Sequence, residues 1–360
     1  MAHPTRDEVL RALDGVIDPV SGRSVVHEDM IQGLVLKDGH VGFALEVAPA
    51  RGASAEPLRK QCEEAVHRLP GILSVTAVLT AHQQTQAPPR QAQRAAAGIP
   101  GVGAIIAVAS GKGGVGKSTV AVNLALALKT LGLKVGLLDA DIYGPSVPRL
   151  LGIREKPESQ GDKLKPIEKF GLKTMSIGFL VDEDTPMIWR GPMVQSALTQ
   201  MMNDVAWAPL DVLVIDMPPG TGDAQLTIAQ RVPLKGAVIV STPQDLALTD
   251  ARKGLAMFRK TQVPILGIVE NMSLFVCPHC GQESHIFGHG GARQTALALG
   301  APFLGEIPLV PAIRETSDAG TPIVALRPQS PETAAFLLIA KEVAAKIAAP
   351  ERAAPQIVIE

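Results

Sequence analysis

The chain is short of three things, and each shortage argues against a class of protein. Only three of its 360 residues are cysteine, an odd number that includes one close pair. A disulfide framework is not expected, and metal or redox chemistry becomes the better question. Net charge is almost absent, at -1, so no bulk electrostatic pull on nucleic acid is implied. No apolar segment approaches the length of a membrane span, and the opening MAHPTRDEVL lacks the apolar core of a signal peptide. The expectation is a cytoplasmic protein with neither a membrane nor a nucleic-acid partner. What is present suffices to fold: 46% hydrophobic and 19% charged residues read as globular, and the length suits two domains.

One stretch organises the chain, Gly111-Lys112-Gly113-Gly114-Val115-Gly116-Lys117-Ser118-Thr119. It follows an apolar run at 104–110 and leads into another at 120–128, so a buried strand ends in a glycine-rich turn inside which a helix begins. Glycines let successive backbone N–H groups converge on phosphate oxygens, and the helix N-terminus adds its positive end. The pattern predicts an ATP phosphate cradle over 111–119, with Lys117 between the β- and γ-phosphates and the Ser118 hydroxyl on Mg²⁺.

Further strands end in chemistry-bearing residues. The strand at 134–138 runs into Asp139-Ala140-Asp141, and carboxylates there face Mg²⁺ or the attacking water. For Asp139, helix capping or a structural acceptor role competes with a catalytic one. The strand at 211–215 is closed by Asp216, a Walker B signal that places a carboxylate in the outer coordination of Mg²⁺. The run Met217-Pro218-Pro219-Gly220-Thr221-Gly222-Asp223 can move with the γ-phosphate, since glycines permit a new path and prolines stiffen its start. Strands at 237–241 and 265–269 flank a helix near 246–261. The alternation predicts an α/β domain over 104–348 with a mostly parallel sheet covered on both faces. Between 149 and 210 little is legible beyond a helix at 194–203 with Leu198, Met201 and Met202 on its apolar side. Trp189 is read as core or a subunit contact, and Arg190 as undecided.

The first eighty residues read as a separate small α+β domain. Thr5 and Glu8 form a capping box before a helix striped by Val9, Leu10, Leu13, Val16 and Ile17. Strands at 31–36 and 41–47 flank the turn signal Lys37-Asp38-Gly39-His40. Ser54 and Pro57 open a second helix, with Cys62 in its core face, and a strand at 72–79 completes an α-β-β-α-β order. Residues 81–103, rich in Gln, Ala and Pro, read as a linker. A final Ala-rich helix at 331–348 is followed by a loose tail at 349–360.

Several motifs carry a family resemblance. Lys112, the second residue of the cradle, resembles the signature lysine of the deviant P-loop ATPases, a group with the nitrogenase iron protein, MinD, ParA and the Mrp/ApbC family. The resemblance implies a homodimer in which Lys112 reaches the nucleotide of the opposite subunit. DADIYGPS resembles switch I of Mrp/ApbC proteins, which gives Asp141 the role of positioning water, and DMPPGTGD resembles their switch II. The segment Glu270-Asn271-Met272 implies that Asn271 contacts adenine. The order of the first eighty residues, with Asp18-Pro19, resembles the iron–sulfur assembly domain of SufT-like proteins. The family's loop cysteine is missing from Ala48-Pro49-Ala50-Arg51-Gly52-Ala53, so docking is expected of this domain rather than ligation.

The loop that follows Asn271 carries Cys277-Pro278-His279-Cys280-Gly281. A redox pair, a zinc site completed by His285 and His289, a purely structural pair and a ligand pair shared between subunits are all open on the residues alone. Two thiolates are half of what a 4Fe-4S cluster asks, and a two-fold axis doubles them. CPHCG followed by Ser284-His285-Ile286-Phe287-Gly288 resembles Mrp/ApbC carriers and is absent from MinD and ParA. The resemblance implies an ATP-hydrolysing homodimer that bridges a 4Fe-4S cluster through Cys277 and Cys280, takes it from a cluster donor and passes it to apo iron–sulfur clients. The rivals are a positioning or partitioning ATPase and an ATP-driven electron donor.

Overall fold

The structure is a computed structural model that describes residues 4–37, 40–47, 55–81, 98–180 and 191–349. It divides into two compact units, Met1–Gln93 and Arg94–Glu360, each with its own hydrophobic core.

The smaller unit runs α1 (Arg6–Asp14), β1 (Ile31–Lys37), β2 (His40–Val47), α2 (Glu56–His67) and β3 (Ser74–Ala81). The expected capping box starts α1: the Thr5 hydroxyl accepts from the Glu8 N–H at 3.4 Å, and the Glu8 carboxylate accepts from the Thr5 N–H at 2.7 Å. Strand β2 pairs antiparallel with β1 and parallel with β3. Its alternation sends Val41, Phe43, Leu45 and Val47 inward, where they meet Val9 and Leu13 of α1 and Leu58, Cys62 and Val66 of α2. Cys62 is fully buried, as its place on the apolar face of α2 requires, and burial pushes its thiol up to about 11. Strand β3 begins two residues later than the apolar pattern suggests. The turn at 38–39, the loop at 48–53, Ser54 and most of the linker, 82–97, lie outside the described residues.

The larger unit opens with β4 (Val102–Ala109), α3 (Lys117–Thr130), β5 (Val135–Asp139) and α4 (Val147–Leu150). Four short strands follow, β6 (Ser159–Gln160), β7 (Lys163–Leu164), β8 (Ile167–Lys169) and β9 (Leu172–Ser176), and then α5 (Gly191–Asn203). Next come β10 (Leu210–Asp216), α6 (Asp223–Arg231), β11 (Gly236–Ser241), α7 (Asp245–Lys260), β12 (Ile265–Val276) and β13 (Glu283–Ser284). The unit closes with α8 (Gly291–Ala298), β14 (Phe303–Leu309), α9 (Pro311–Asp318), α10 (Ile323–Leu326) and α11 (Pro331–Ala348).

Nine strands form one sheet in the order β13-β12-β11-β4-β10-β5-β9-β8, with β14 also on β12. Only β13 and β8 pair antiparallel. The central strands read as unbroken apolar runs because both faces are covered, and β4, β5, β10 and β11 are buried nearly throughout. Chain order reverses across β4, whose neighbours β10 and β11 come much later in the sequence, and a crevice opens at the carboxyl ends of these strands.

Two departures from the sequence reading have physical causes. The stretch 149–180 adds β9 and β8 to the sheet beyond β5, in segments too short for a period to show. The strand expected over 265–269 does not stop there, since β12 continues through Met272 to Val276. Met272 sits at φ 57°, where the pairing of β12 with β14 shifts register, and this bulge reads in sequence as an end. Trp189 and Arg190 lie outside the described residues, as does 350–360. Among the described residues no helix is long and apolar enough to cross a membrane.

Because the two cores are separate, Leu45→Ala should cost the smaller unit about 2–5 kcal/mol and leave the larger unit's unfolding midpoint in place. Urea denaturation of the full chain, followed by hydrogen exchange resolved to each unit, checks this.

Candidate functional site

Four strands deliver the polar side chains of the crevice. Strand β4 leads into Ser110, whose hydroxyl donates to the Lys112 carbonyl at 2.8 Å and so tightens the first turn of the loop. Residues 111–116 follow, with Gly116 as the N-cap of α3 at φ 79°. Two glycines are dictated by neighbours. A Cβ on Gly111 would fall 2.1 Å from the backbone of Asp250 in α7, and one on Gly116 would fall 2.3 Å from Nδ2 of Asn271. The loop therefore lies flat against α7 and β12, with Gly113 and Gly114 exposed on its outer side.

Lys117, the first residue of α3, is almost fully buried and reaches the end of β10. Its ammonium donates to Asp216 Oδ1 at 2.5 Å and to the Ser118 hydroxyl at 3.1 Å. Asp216 has no exposed side-chain surface, and its Oδ2 is buried without a hydrogen-bond partner among the described residues. An unsatisfied carboxylate oxygen and a hydroxyl sharing one ammonium form an oxygen donor set that suits Mg²⁺. The residues present thus fit that ion, with Ser118 and Asp216 to hold it.

The two aspartates after β5 separate in role. Asp139 is fully buried and saturated: Oδ1 accepts from the Asp141 N–H, and Oδ2 accepts from the Val147 N–H at the start of α4 and from the Ser176 hydroxyl, each at 3.1 Å. Burial, together with the nearby Asp216 carboxylate, pushes its carboxyl up to about 7. It is the acceptor that shapes the turn into α4. Asp141 is raised first by burial, with Lys117 pulling the other way. It borders a cavity of about 400 Å³ whose other walls include Tyr143, Pro218, Gly222 and Gln225. A carboxyl held toward its neutral form beside a cavity can exchange a proton with water there.

Asn271 stands behind the phosphate loop. Its Nδ2 donates to the Val115 carbonyl at 2.9 Å, and its neighbour Glu270 accepts from the Ala292 N–H at 2.7 Å at the start of α8. Lys112 is half-buried at the front of the loop.

The cysteine pair sits at the tip of a hairpin rather than in an open loop. Strands β12 and β13 pair through Phe275 with Ser284 and Val276 with Glu283. The turn between them is closed by the Cys277 N–H donating to the Gln282 carbonyl and the Gly281 N–H donating to the Cys277 carbonyl, with Gly281 at φ 70°. This folding-back aims the backbone N–H groups of Cys280 and His279 at the Cys277 sulfur and holds its thiol below the ordinary range, with the Cys280 side chain adding to the effect. Cys277 is half-buried and Cys280 exposed. His285 and His289 pack on each other, ring centroids 4.2 Å apart. Among the described residues no three His, Cys, Asp or Glu side chains gather into a metal-holding group. Sequence reasoning missed Ser110, Ser176 and Gln225 at this site. None carries a local signal, since each works through a main-chain or side-chain partner set by the sheet.

Removing one partner of the buried pair leaves the other charge stranded. Lys117→Met should destabilise the larger unit by about 3–5 kcal/mol, and adding Asp216→Leu should recover a good part of the loss in chemical denaturation. For the cysteines, the lowered thiol predicts that Cys277 reacts with iodoacetamide at a lower pH than an ordinary cysteine, while Cys62 stays unlabelled until the chain unfolds. Mass spectrometry of pH-stepped, anaerobic labelling reads both.

Comparisons with known proteins bear on the family and the fold. Residues 101–344 match the family model described as the NUBPL iron-transfer P-loop NTPase, and residues 6–80 match that of an iron–sulfur cluster assembly protein. The chain is 46% identical over 351 residues to an "Iron-sulfur cluster carrier protein" of Synechocystis, covering 95% of this chain and 98% of that one. It is 51% identical over 294 residues to the Escherichia coli protein of the same name, covering 81% and 79%. Among solved structures it is similar to a nucleotide-binding protein of Archaeoglobus fulgidus in complex with ADP, at 41% identity and TM-score 0.57, covering 66% of this chain and 92% of that one. With a family model spanning most of its length and a relative of this identity across nearly all of it, the chain belongs to the NUBPL iron-transfer P-loop NTPase family.

Proposed function

We propose that this protein carries iron–sulfur clusters and hands them to apo-proteins as an ATP-hydrolysing homodimer. A 4Fe-4S cluster, the cargo, is bridged by Cys277 and Cys280 of one protomer and the same two residues of a second copy. The observation that carries this reading is the hairpin tip: two neighbouring sulfurs, one with its thiolate favoured by backbone N–H groups, both outside the core. Two such tips supply the four thiolates a cluster asks for. The names of the relatives, iron–sulfur cluster carrier proteins, point the same way.

ATP occupies the cradle 111–119 with its phosphates against the loop N–H groups and the start of α3. Lys117 moves from Asp216 toward the β- and γ-phosphates, and Lys112 engages the nucleotide of the other copy. Ser118 would hold Mg²⁺ with Asp216 behind it, and the ion would neutralise phosphate charge. Asp141, at the cavity wall, orients the attacking water. Asn271 fixes the loop from behind through Val115 and lies on the side where the base binds. The domain of the first eighty residues, tied on by the 81–103 linker, docks a donor or client, and the whole works in the cytoplasm.

Anaerobic reconstitution with iron and sulfide tests the proposal. Wild type should take up about four irons per two chains and migrate as a dimer, while Cys277→Ala and Cys280→Ala should bind nucleotide normally and lose the iron. A strictly monomeric wild type that takes up no iron defeats the reading and leaves an ATPase of another purpose.

A further inference from the structure

Gln225 belongs to the first turn of α6, is 1% exposed, and is used by nothing in the chemistry above. Its Nε2 donates to two main-chain carbonyls, Pro218 in the segment after Asp216 and, at 3.4 Å, Ser110 at the root of the phosphate loop. The amide orientation is fixed by that choice, since only the nitrogen can donate to both. The oxygen is buried with no hydrogen-bond partner among the described residues. A residue buried this deeply for packing alone would be better apolar. The amide is kept for the carbonyls.

What the carbonyls connect gives the amide its consequence. The segment 217–222 contains Pro218 and Pro219, neither of which has an N–H to donate. It is held to β4 through the Met217 N–H on the Val108 carbonyl at 3.0 Å and the Gly220 N–H on the Ser110 carbonyl at 3.1 Å. The Gln225 amide supplies the donor that the prolines cannot. The Ser110 carbonyl accepts from both Gly220 and Gln225, so displacing the segment breaks the Gly220 bond at that atom and the Gln225 bond at Pro218. The Gln225 side chain also forms part of the cavity wall shared with Asp141 and Pro218.

We propose that Gln225 is a positioning residue, a latch that ties the segment after Asp216 to the root of the phosphate loop and so sets when Asp141 and the cavity are aligned for hydrolysis. The hydrolytic part rests on the ATPase reading above, and the latch itself does not. With the amide in place, the segment and the loop move as one body. Without it, the segment keeps the Met217 and Gly220 bonds to the β4 side and the Gly222 bond to α6, and samples positions in which the cavity is misaligned.

Two near-isosteric variants of the full chain test this. Gln225→Met removes the donor and keeps the bulk. Gln225→Glu keeps the shape but carries no donor when ionised, and regains one when protonated. In nucleotide-free protein, hydrogen exchange across 217–222 should quicken about tenfold in Gln225→Met, the effect of one hydrogen bond, with the melting temperature little changed. In steady-state turnover, kcat should fall by a similar factor with KM within about twofold. Gln225→Glu should match Gln225→Met at pH 8 and recover toward wild type at pH 6, a pH response that a packing role does not produce. Unchanged exchange in Gln225→Met overturns the latch, as does a loss of kcat that merely tracks melting temperature. If wild type itself shows no turnover, the ATPase reading fails, and the exchange measurement still decides the latch.

Discussion

The larger unit depends on one buried ion pair. Lys117 and Asp216 meet at 2.5 Å with almost no exposed surface, and they join the first residue of α3 to the last residue of β10, two elements ninety-nine positions apart in the chain. A charge in such a place is tolerated only with its counter-charge in contact. The pair therefore fixes where the phosphate loop begins relative to the sheet. It also orders the acids around it. Three carboxylates, those of Asp139, Asp141 and Asp216, crowd one ammonium. Asp139 is relieved by three hydrogen-bond donors and a tendency to stay neutral, Asp141 by its place at a cavity wall. Asp216 keeps one oxygen in reserve. The arrangement is short of positive charge, which favours a divalent cation there, while the loop N–H groups and Lys117 are left to meet the phosphates.

The sheet makes that arrangement possible. Because β4, β5, β10 and β12 run parallel, their carboxyl ends lie on one edge, and residues from four distant stretches reach one crevice without a long loop. Helix α3 packs its buried face on the centre of the sheet, so the loop that precedes it has little freedom.

Much of this was legible in the sequence. The cradle, Asp216 at the end of its strand, the alternation of strands and helices and the small α-β-β-α-β unit all follow from glycine spacing, apolar runs and capping residues, which are local. What was not legible is long-range. Asp139 and Asp141 stand two apart in one motif, and nothing local says that Val147 and Ser176 will saturate the first and leave the second at a cavity. Gln225 looks like any polar residue near a helix start until the sheet brings Ser110 beside it. The strands at 159–176 are too short to show a period. The premature end assigned to β12 has the plainest cause: Asn271-Met272-Ser273 has the polarity of a turn, yet Ser273 is buried and its hydroxyl donates to the Ile307 carbonyl of β14 at 3.2 Å, so a neighbouring strand supplies the partner that solvent would otherwise provide.

That continuation of β12 ties the two ends of the molecule's chemistry to a single rod. Asn271 grips the phosphate loop at Val115, and Cys277 follows six residues later, one past the end of the same strand, roughly 20 Å away at the usual rise per residue. Between them the only irregularity is the left-handed kink at Met272. A tug at the nucleotide end therefore has one joint in which to be lost before it is felt at the sulfurs. Under the proposed function, the stiffness of that joint would set how faithfully the grip on the cargo follows the state of the phosphates.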